Sequence, residues 1–233
     1  MEIGYLKFHL TNTDTQFAGD VKVGLSLLGA GEKRLVARYV SRIPSSIETY
    51  HLTLTTILWS AAIVLFGYLS QFTIHWLWGT SVMIICQYIT DLFDGAVGRY
   101  RNTGLIRWGY YMDHFLDYIF LCSILIGYSF LFNDKFNSLF FILVVFGAFM
   151  VNSYLAFAAT NKFKIEYLKI GPTEIRLLFI VINTLLISFH KTYLVSLLPI
   201  VLILAMAGLI YAVYDTQKKI WEQDMEIKKN LKR

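Results

Sequence analysis

Asp91-Leu-Phe-Asp-Gly-Ala-Val-Gly-Arg99 is followed, after a gap of nine residues, by Gly109-Tyr-Tyr-Met-Asp-His-Phe-Leu-Asp117. Each run carries two aspartates, and both runs lie inside long apolar stretches. A charged carboxylate near the middle of a bilayer costs roughly 2.5–3.5 kcal/mol on insertion scales, so four of them require a compensating partner. We expect that partner to be a divalent cation bound by Asp91, Asp94, Asp113 and Asp117.

The composition places the chain in a membrane. Of its 233 residues, 56% are hydrophobic and 16% are charged, whereas soluble domains carry about 25% charged residues. The mean hydropathy is +0.54. Six segments are apolar over about the 20 residues that a bilayer requires. They cover residues 51–71, 75–99, 105–131, 138–161, 174–189 and 193–215.

The region before the first span has a different pattern. Arg34, Arg38 and Arg42 recur every four residues on one helical face, and apolar residues occupy another. This pattern is typical of an amphipathic helix in the membrane interface, which serves either as an anchor or as a lid beside a site. We therefore predict an all-α integral membrane protein with six transmembrane helices after an interfacial N-terminal helix. Its divisions are a polar segment 1–16, an interfacial region 17–50, a transmembrane domain 51–215 and a basic tail 216–233.

The distribution of lysine and arginine predicts the topology. These residues are concentrated in the N-terminal region, in the second and fourth connections between the predicted spans, and in the tail. The connections on the opposite side of the membrane hold only Lys135 and Lys191. By the positive-inside rule both termini face the cytoplasm, and the aspartates lie toward that face. The net charge of +5 reflects this bias and attraction to anionic membrane lipids. It does not indicate a nucleic-acid partner.

The spacing of the acids predicts that they meet. Asp91 and Asp94 are three residues apart, and Asp113 and Asp117 are four apart, so each pair shares a helix face. A short connection makes the two helices antiparallel neighbours. Carboxylate oxygens without a cluster of Cys or His suit Mg²⁺, Mn²⁺ or Ca²⁺ rather than Zn²⁺. Four carboxylates are enough for two ions.

Three glycines and an arginine accompany the acids: Gly95, Gly98, Gly109 and Arg99. Small residues allow tight helix packing in membranes, but they also leave room for the phosphates of a ligand, which Arg99 could contact. The main competing interpretation is a six-span transporter whose acids carry protons or cations.

The two runs resemble the pattern of the CDP-alcohol phosphotransferases, Asp-x2-Asp-Gly-x2-Ala-Arg-x8-Gly-x3-Asp-x3-Asp. Seven of the eight motif residues match; Gly98 replaces the alanine, and nine residues rather than eight separate Arg99 from Gly109. That family also has an interfacial helix before six spans, so the resemblance covers about residues 35–215. The opening of the first span, Thr49-Tyr-His-Leu-Thr53, keeps only Leu-Thr of the Pro-Asn-x-Leu-Thr-like sequence of many members.

The resemblance implies an enzyme of phospholipid biosynthesis that transfers a phosphatidyl group from a CDP-linked lipid, typically CDP-diacylglycerol, to a small alcohol with release of CMP. It implies that the four aspartates bind two Mg²⁺ or Mn²⁺ ions, that Asp117 is also the general base, and that a homodimer forms. It further implies contacts to the nucleotide diphosphate from Gly95, Gly98, Arg99 and Gly109.

The acceptor alcohol stays open at this stage. Thr173, Glu174 and Arg176 begin the fifth span and either cap that helix or select the acceptor head group. A choline- or ethanolamine-type enzyme, which uses a CDP-amino alcohol and diacylglycerol, is an alternative with the same core. His114 lies between two motif acids on a different helix face, and we expect it to pack.

Overall fold

The computed structural model describes residues 29–102, 105–134, 136–160, 171–189 and 195–231, and these ranges contain helices and connections without a strand. The α-helices are α1 (Gly29–Tyr39), α2 (Thr49–Leu69), α3 (Leu77–Arg101), α4 (Ile106–Leu131), α5 (Ser138–Thr160), α6 (Pro172–Phe189) and α7 (Leu198–Asn230). Short 3₁₀ turns at Val40–Arg42 and Ile74–Trp76 extend α1 and precede α3. The predicted all-α architecture is confirmed.

Five helices are long and apolar enough to cross a membrane, namely α2, α4, α5, α6 and α7. The remaining long helix, α3, has 25 residues but carries two aspartates and two arginines in its C-terminal half, which lower its hydropathy. The chain is thus an all-α membrane protein, and a sixth span through α3 stays a prediction. The last span and the basic tail share one helix, because α7 continues without interruption to Asn230.

α2 packs along both α3 and α4, whereas α3 and α4 contact each other over only a short stretch. Small side chains make this packing possible. One face of α2 carries the buried residues Thr49, Thr53, Thr56, Ser60 and Gly67. Gly67 meets Gly127 of α4, backbone against backbone, as small residues allow in membrane helices.

A buried hydrogen-bond network joins three helices in the interior. The side-chain amide of Asn183 donates to Ser81 Oγ at 3.0 Å, and its oxygen accepts from the Tyr128 hydroxyl at 2.7 Å. The three residues belong to α6, α3 and α4, and all are buried. Bonds of this kind between membrane helices contribute about 0.6 kcal/mol on average. Together with the surrounding apolar core they fix α6 against α3 and α4.

α1, the helix that the sequence predicts to lie in the membrane interface and that we call the interfacial helix, is held at its C-terminal end. Val36 and Ile43 pack against a small cluster that includes Val40 and Val97. The Arg101 guanidinium, at the end of α3, donates to the carbonyls of Ile43 and Pro44 at 2.9 Å each, and to that of Ile47. Arg34, Arg38 and Arg42 remain exposed, as the amphipathic pattern predicts. Residues 17–28 of the predicted interfacial region lie outside the described residues.

The contact between the two glycines yields a prediction for stability. A Cβ added to Gly67 would collide with the backbone of Gly127, whereas a Cβ added to Gly127 would lie 3.5 Å from Gly67 Cα, an ordinary contact. We expect Gly67→Ala to reduce the free energy of unfolding by about 1–3 kcal/mol, because neither backbone can move without repacking α2. Unfolding in detergent would measure this, with Gly127→Ala as the matched control. Equal losses for both variants would contradict the packing described.

Candidate functional site

Three of the four aspartates converge where α3 ends and α4 begins. Carboxylate oxygens of Asp91, Asp113 and Asp117 all lie within 4.8 Å of one another. Asp91 comes from the last turns of α3, while Asp113 and Asp117 lie one turn apart on α4. All three side chains are partly buried. Like charges at this separation repel, so the cluster requires positive charge, and its oxygen atoms are the ligands that hard divalent cations prefer. We call these residues the aspartate triad.

Arg176 supplies part of that positive charge. This residue is 5% exposed, and its Nη2 lies 3.0 Å from Asp91 Oδ2 and 2.9 Å from Asp117 Oδ1. It comes from the second turn of α6 and so joins that helix to α3 and α4. Three ionised carboxylates against one guanidinium leave a formal charge of −2, which a single divalent cation would neutralise.

Gln87 is a site residue that the sequence analysis missed. Its side chain is fully buried, with 0% exposure, and its Nε2 donates to Asp117 Oδ1 at 3.4 Å. That oxygen therefore accepts from both Arg176 and Gln87. The signal in the sequence was a glutamine inside an apolar stretch, one helical turn before Asp91, where an amide without a partner is unfavourable.

Asp94 is turned toward α2 rather than into the triad. It is 7% exposed; its Oδ2 accepts from Thr53 Oγ1 at 2.8 Å, and its Oδ1 accepts from the Gly95 N–H. Thr53 is the second residue of the Leu-Thr pair that this chain has in common with the family that its motif resembles. The structure thus brings together three of the predicted metal ligands and connects the fourth to the first span.

His114 packs as expected and also contacts an acid. Its ring lies 4.4 Å from that of Tyr110, centroid to centroid, and its Nδ1 lies 3.2 Å from Asp113 Oδ2. The Tyr154 hydroxyl of α5 donates to the His114 carbonyl at 3.2 Å. This contact fixes the α4 turn that carries Asp113.

The remaining motif residues lie on the last turns of α3 and the first turn of α4. Arg99 is exposed, and its guanidinium folds back over Gly95, since a Cβ there would lie 3.2 Å from Arg99 Nη1. Gly98 is half-buried on the same helix. A Cβ added to Gly109 would meet no atom within 4 Å. α3 closes at Asn102, whose φ of 53° is left-handed, and α4 starts at Ile106.

The three residues at the start of α6 have different surroundings. Arg176 reaches the aspartates, but the Thr173 hydroxyl donates to Glu32 Oε1 of α1 at 2.8 Å. Glu174 Oε2 accepts from the Gly171 N–H at 2.9 Å, which satisfies a backbone donor at the helix start. The capping interpretation therefore holds for this contact of Glu174. Lys162, Lys164 and Lys169, the basic residues of the fourth connection, which precedes α6, lie outside the described residues.

The buried arginine yields a prediction that links stability to cations. Arg176→Met leaves Asp91 and Asp117 without their counterion, and we expect a loss on the order of 3 kcal/mol in unfolding free energy without divalent cations. Millimolar Mn²⁺ should restore more stability to this variant than to the unchanged protein. Thermal unfolding in detergent with EDTA or Mn²⁺ measures both. Arg99→Met, at an exposed position, is the control and should show neither effect. If Mn²⁺ did not change the stability of Arg176→Met, that result would argue against cation binding by the triad.

One of the comparisons with known proteins identifies the family of the chain. The family model described as CDP-alcohol phosphatidyltransferase matches residues 49–213, from the start of α2 well into α7. That segment contains the triad, Asp94 and Arg176. Neither a curated protein nor a solved structure matches the chain. Because the family model covers most of the sequence, the chain belongs to the CDP-alcohol phosphatidyltransferase family, membrane transferases of phospholipid biosynthesis that act on CDP-alcohols.

Proposed function

We propose that this protein transfers a phosphatidyl group from CDP-diacylglycerol to a small alcohol and releases CMP. The observation that carries the proposal is the convergence of Asp91, Asp113 and Asp117 around the buried Arg176. A transporter could use acids for cations, but the family match and the Gly-rich, arginine-bearing surroundings of the cluster support a phosphate substrate. The charge distribution along the chain supports a site toward the cytoplasmic face, with both termini in the cytoplasm.

The donor atoms of the site fit a hard divalent cation. Asp91, Asp113 and Asp117 would hold Mg²⁺ or Mn²⁺, and Asp94, one turn along α3 from Asp91, is proposed as a ligand once its carboxylate turns from Thr53. Two ions are expected from the family resemblance. When bound, such an ion supplies positive charge to the diphosphate and to the phosphorus under attack.

The residues of the chain would then direct an in-line exchange at phosphorus. The acceptor hydroxyl oxygen forms a bond to the phosphorus next to diacylglycerol, and the bond from that phosphorus to the bridging oxygen breaks, so CMP leaves with the electron pair. Asp117 takes the hydroxyl proton. Because Arg176 and Gln87 both donate to Asp117 Oδ1, we assign the proton to the other carboxylate oxygen, Oδ2.

We assign the diphosphate and cytidine to the last turns of α3 and the first turn of α4, beside Gly95, Gly98, Arg99 and Gly109. A Cβ at Gly109 would meet no atom within 4 Å, and the exposed Arg99, which folds over Gly95, offers N–H groups to a phosphate. The acceptor head group would meet the start of α6, where Thr173, Glu174 and Arg176 lie. Acyl chains of the donor extend into the surrounding lipid. A homodimer is part of the proposal through the family resemblance alone.

The direct test is release of CMP. Purified protein in lipid nanodiscs, supplied with CDP-diacylglycerol, Mg²⁺ and a panel of alcohols (glycerol 3-phosphate, serine, inositol and inositol phosphate), should release CMP with one class of acceptor. EDTA should abolish the release. Activity only with CDP-choline or CDP-ethanolamine and diacylglycerol would identify the alternative donor. Cation flux in liposomes without CMP release from any donor would overturn the enzyme.

Asp117→Asn tests the base. The amide keeps the shape of the side chain but accepts no proton, so we expect turnover to fall at least about a hundredfold while the folded state survives. Asp224→Asn, at an exposed position in the extension of α7, removes the same charge away from the site and should leave turnover unchanged. Retention of most activity in Asp117→Asn would assign the base elsewhere.

Gly109→Ala tests the proposed nucleotide path. The added methyl enters open space, so the unfolding temperature should hardly change. If the diphosphate passes this position, the KM for the CDP donor should rise several-fold while the KM for the acceptor stays the same. Gly208→Ala, whose Cβ would make an ordinary 3.6 Å contact with Phe149, is the control on α7. An unchanged donor KM would place the nucleotide away from Gly109.

A further inference from the structure

Glu32 connects the interfacial helix to two helices of the site. Its Oε1 accepts hydrogen bonds from the Tyr88 hydroxyl of α3 at 2.9 Å and from the Thr173 hydroxyl of α6 at 2.8 Å. The donors lie 56 and 141 residues away in the sequence. One partly buried carboxylate oxygen therefore joins three separate helices, and charged acceptors of this kind form the stronger hydrogen bonds.

Each of the two donors precedes one member of the Arg176–Asp91 ion pair along the chain. Tyr88 precedes Asp91 by three residues, and Thr173 precedes Arg176 by three. Arg176 contacts Asp91 and Asn183 contacts Ser81, so α3 and α6 run antiparallel, and Tyr88 and Thr173 lie on opposite sides of the ion pair along the helix axes. The Glu32 bridge and the ion pair connect the same two helices. Together they restrict both the distance between the start of α6 and α3 and the rotation of α6 about its axis.

The other end of α1 prevents Glu32 from following a shift of α6. Val40 is buried against α3, and the Arg101 guanidinium holds the carbonyls of Ile43 and Pro44. α1 is thus attached to α3 at its C-terminal end through apolar and polar contacts. Near its N-terminal end Glu32 reaches α3 and α6 together, so α6 is held relative to a helix that is already fixed.

We propose that Glu32 is a positioning residue for the transfer reaction: through Thr173 and Tyr88 it holds the first turns of α6 so that Arg176 spans Asp91 and Asp117. The inference rests on the proposed function, since it assigns a task to the same site. It makes the interfacial helix a part of the active-site architecture in addition to a membrane anchor.

Loss of Glu32 should have an effect on cation binding that general loss of structure would not produce. Arg176 occupies oxygens of two triad carboxylates and carries positive charge, so it opposes the binding of a cation there. If the loss of Glu32 lets Arg176 move, cation affinity should rise although turnover falls. Disruption of the fold would instead lower both, because the triad itself would come apart.

The experiment compares Glu32→Ala with Lys33→Ala in nanodiscs, by Mn²⁺ binding followed with electron paramagnetic resonance and by CMP release. Lys33 is an exposed neighbour on the same helix. We expect Glu32→Ala to lower kcat about tenfold, tighten Mn²⁺ binding about threefold and leave the acceptor KM within twofold. Lys33→Ala should stay within twofold of the unchanged protein on all three measures. Glu32→Asp should recover part of the lost kcat.

Two further variants keep the test decisive. Thr173→Val removes one of the two hydrogen bonds without touching α1, so it should reproduce part of the Glu32→Ala effect even if that variant fails to fold. Glu32→Ala should also cause no additional tightening of Mn²⁺ binding in an Arg176→Met background. Looser Mn²⁺ binding in Glu32→Ala and Thr173→Val, or values equal to those of Lys33→Ala, would overturn the positioning role. Absence of both Mn²⁺ binding and CMP release in the unchanged protein would instead refute the proposed function.

Discussion

The burial of acidic side chains in an apolar protein is the constraint on which this structure depends. Asp91 and Asp117 can lie together because the Arg176 guanidinium contacts both, at 3.0 and 2.9 Å. Partners of this kind are required where water is scarce, since an isolated charge in an apolar medium is strongly unfavourable. The start of α6 must therefore lie against the end of α3 and the start of α4. α2, which packs along both α3 and α4, holds these two helices so that their ends meet the arginine.

The helix bundle has two zones: one is stabilised mainly by apolar packing and the other mainly by polar and charged contacts. Deep in the helix bundle, apolar side chains such as Ile63, Ile84 and Leu186 are fully buried around the Asn183 network. Toward the end that carries the aspartates, charged and polar contacts replace them. A well-packed scaffold at one end can hold the partly buried carboxylates of the aspartate triad at the other. The interfacial helix belongs to this second zone through Glu32 and through Arg101.

Much of the architecture could be predicted because hydropathy acts locally. Apolar segments of sufficient length indicated the helices, and the observed bounds differ from those predictions by a few residues at most ends. Two features of the helices did not follow from hydropathy. α7 continues through the basic tail, since the charged residues after 215 are good helix formers. α3 is less apolar than its neighbours because it carries site residues. Hydropathy alone therefore gives a weaker prediction for α3, the helix that carries most of the candidate site residues.

The sequence by itself determined which groups could form the site: its spacing placed two pairs of acids on successive helices, and their oxygen donors indicated a hard cation. Only the tertiary structure decided which acids meet. It separated Asp94, bonded to Thr53, from the other three, and it brought Gln87 and Arg176 against Asp117. The physical reason is that helical periodicity shows which residues share a face, not what that face contacts. Arg176 lies 59 residues from Asp117 in the chain, and their meeting depends on how α6 packs against α3 and α4.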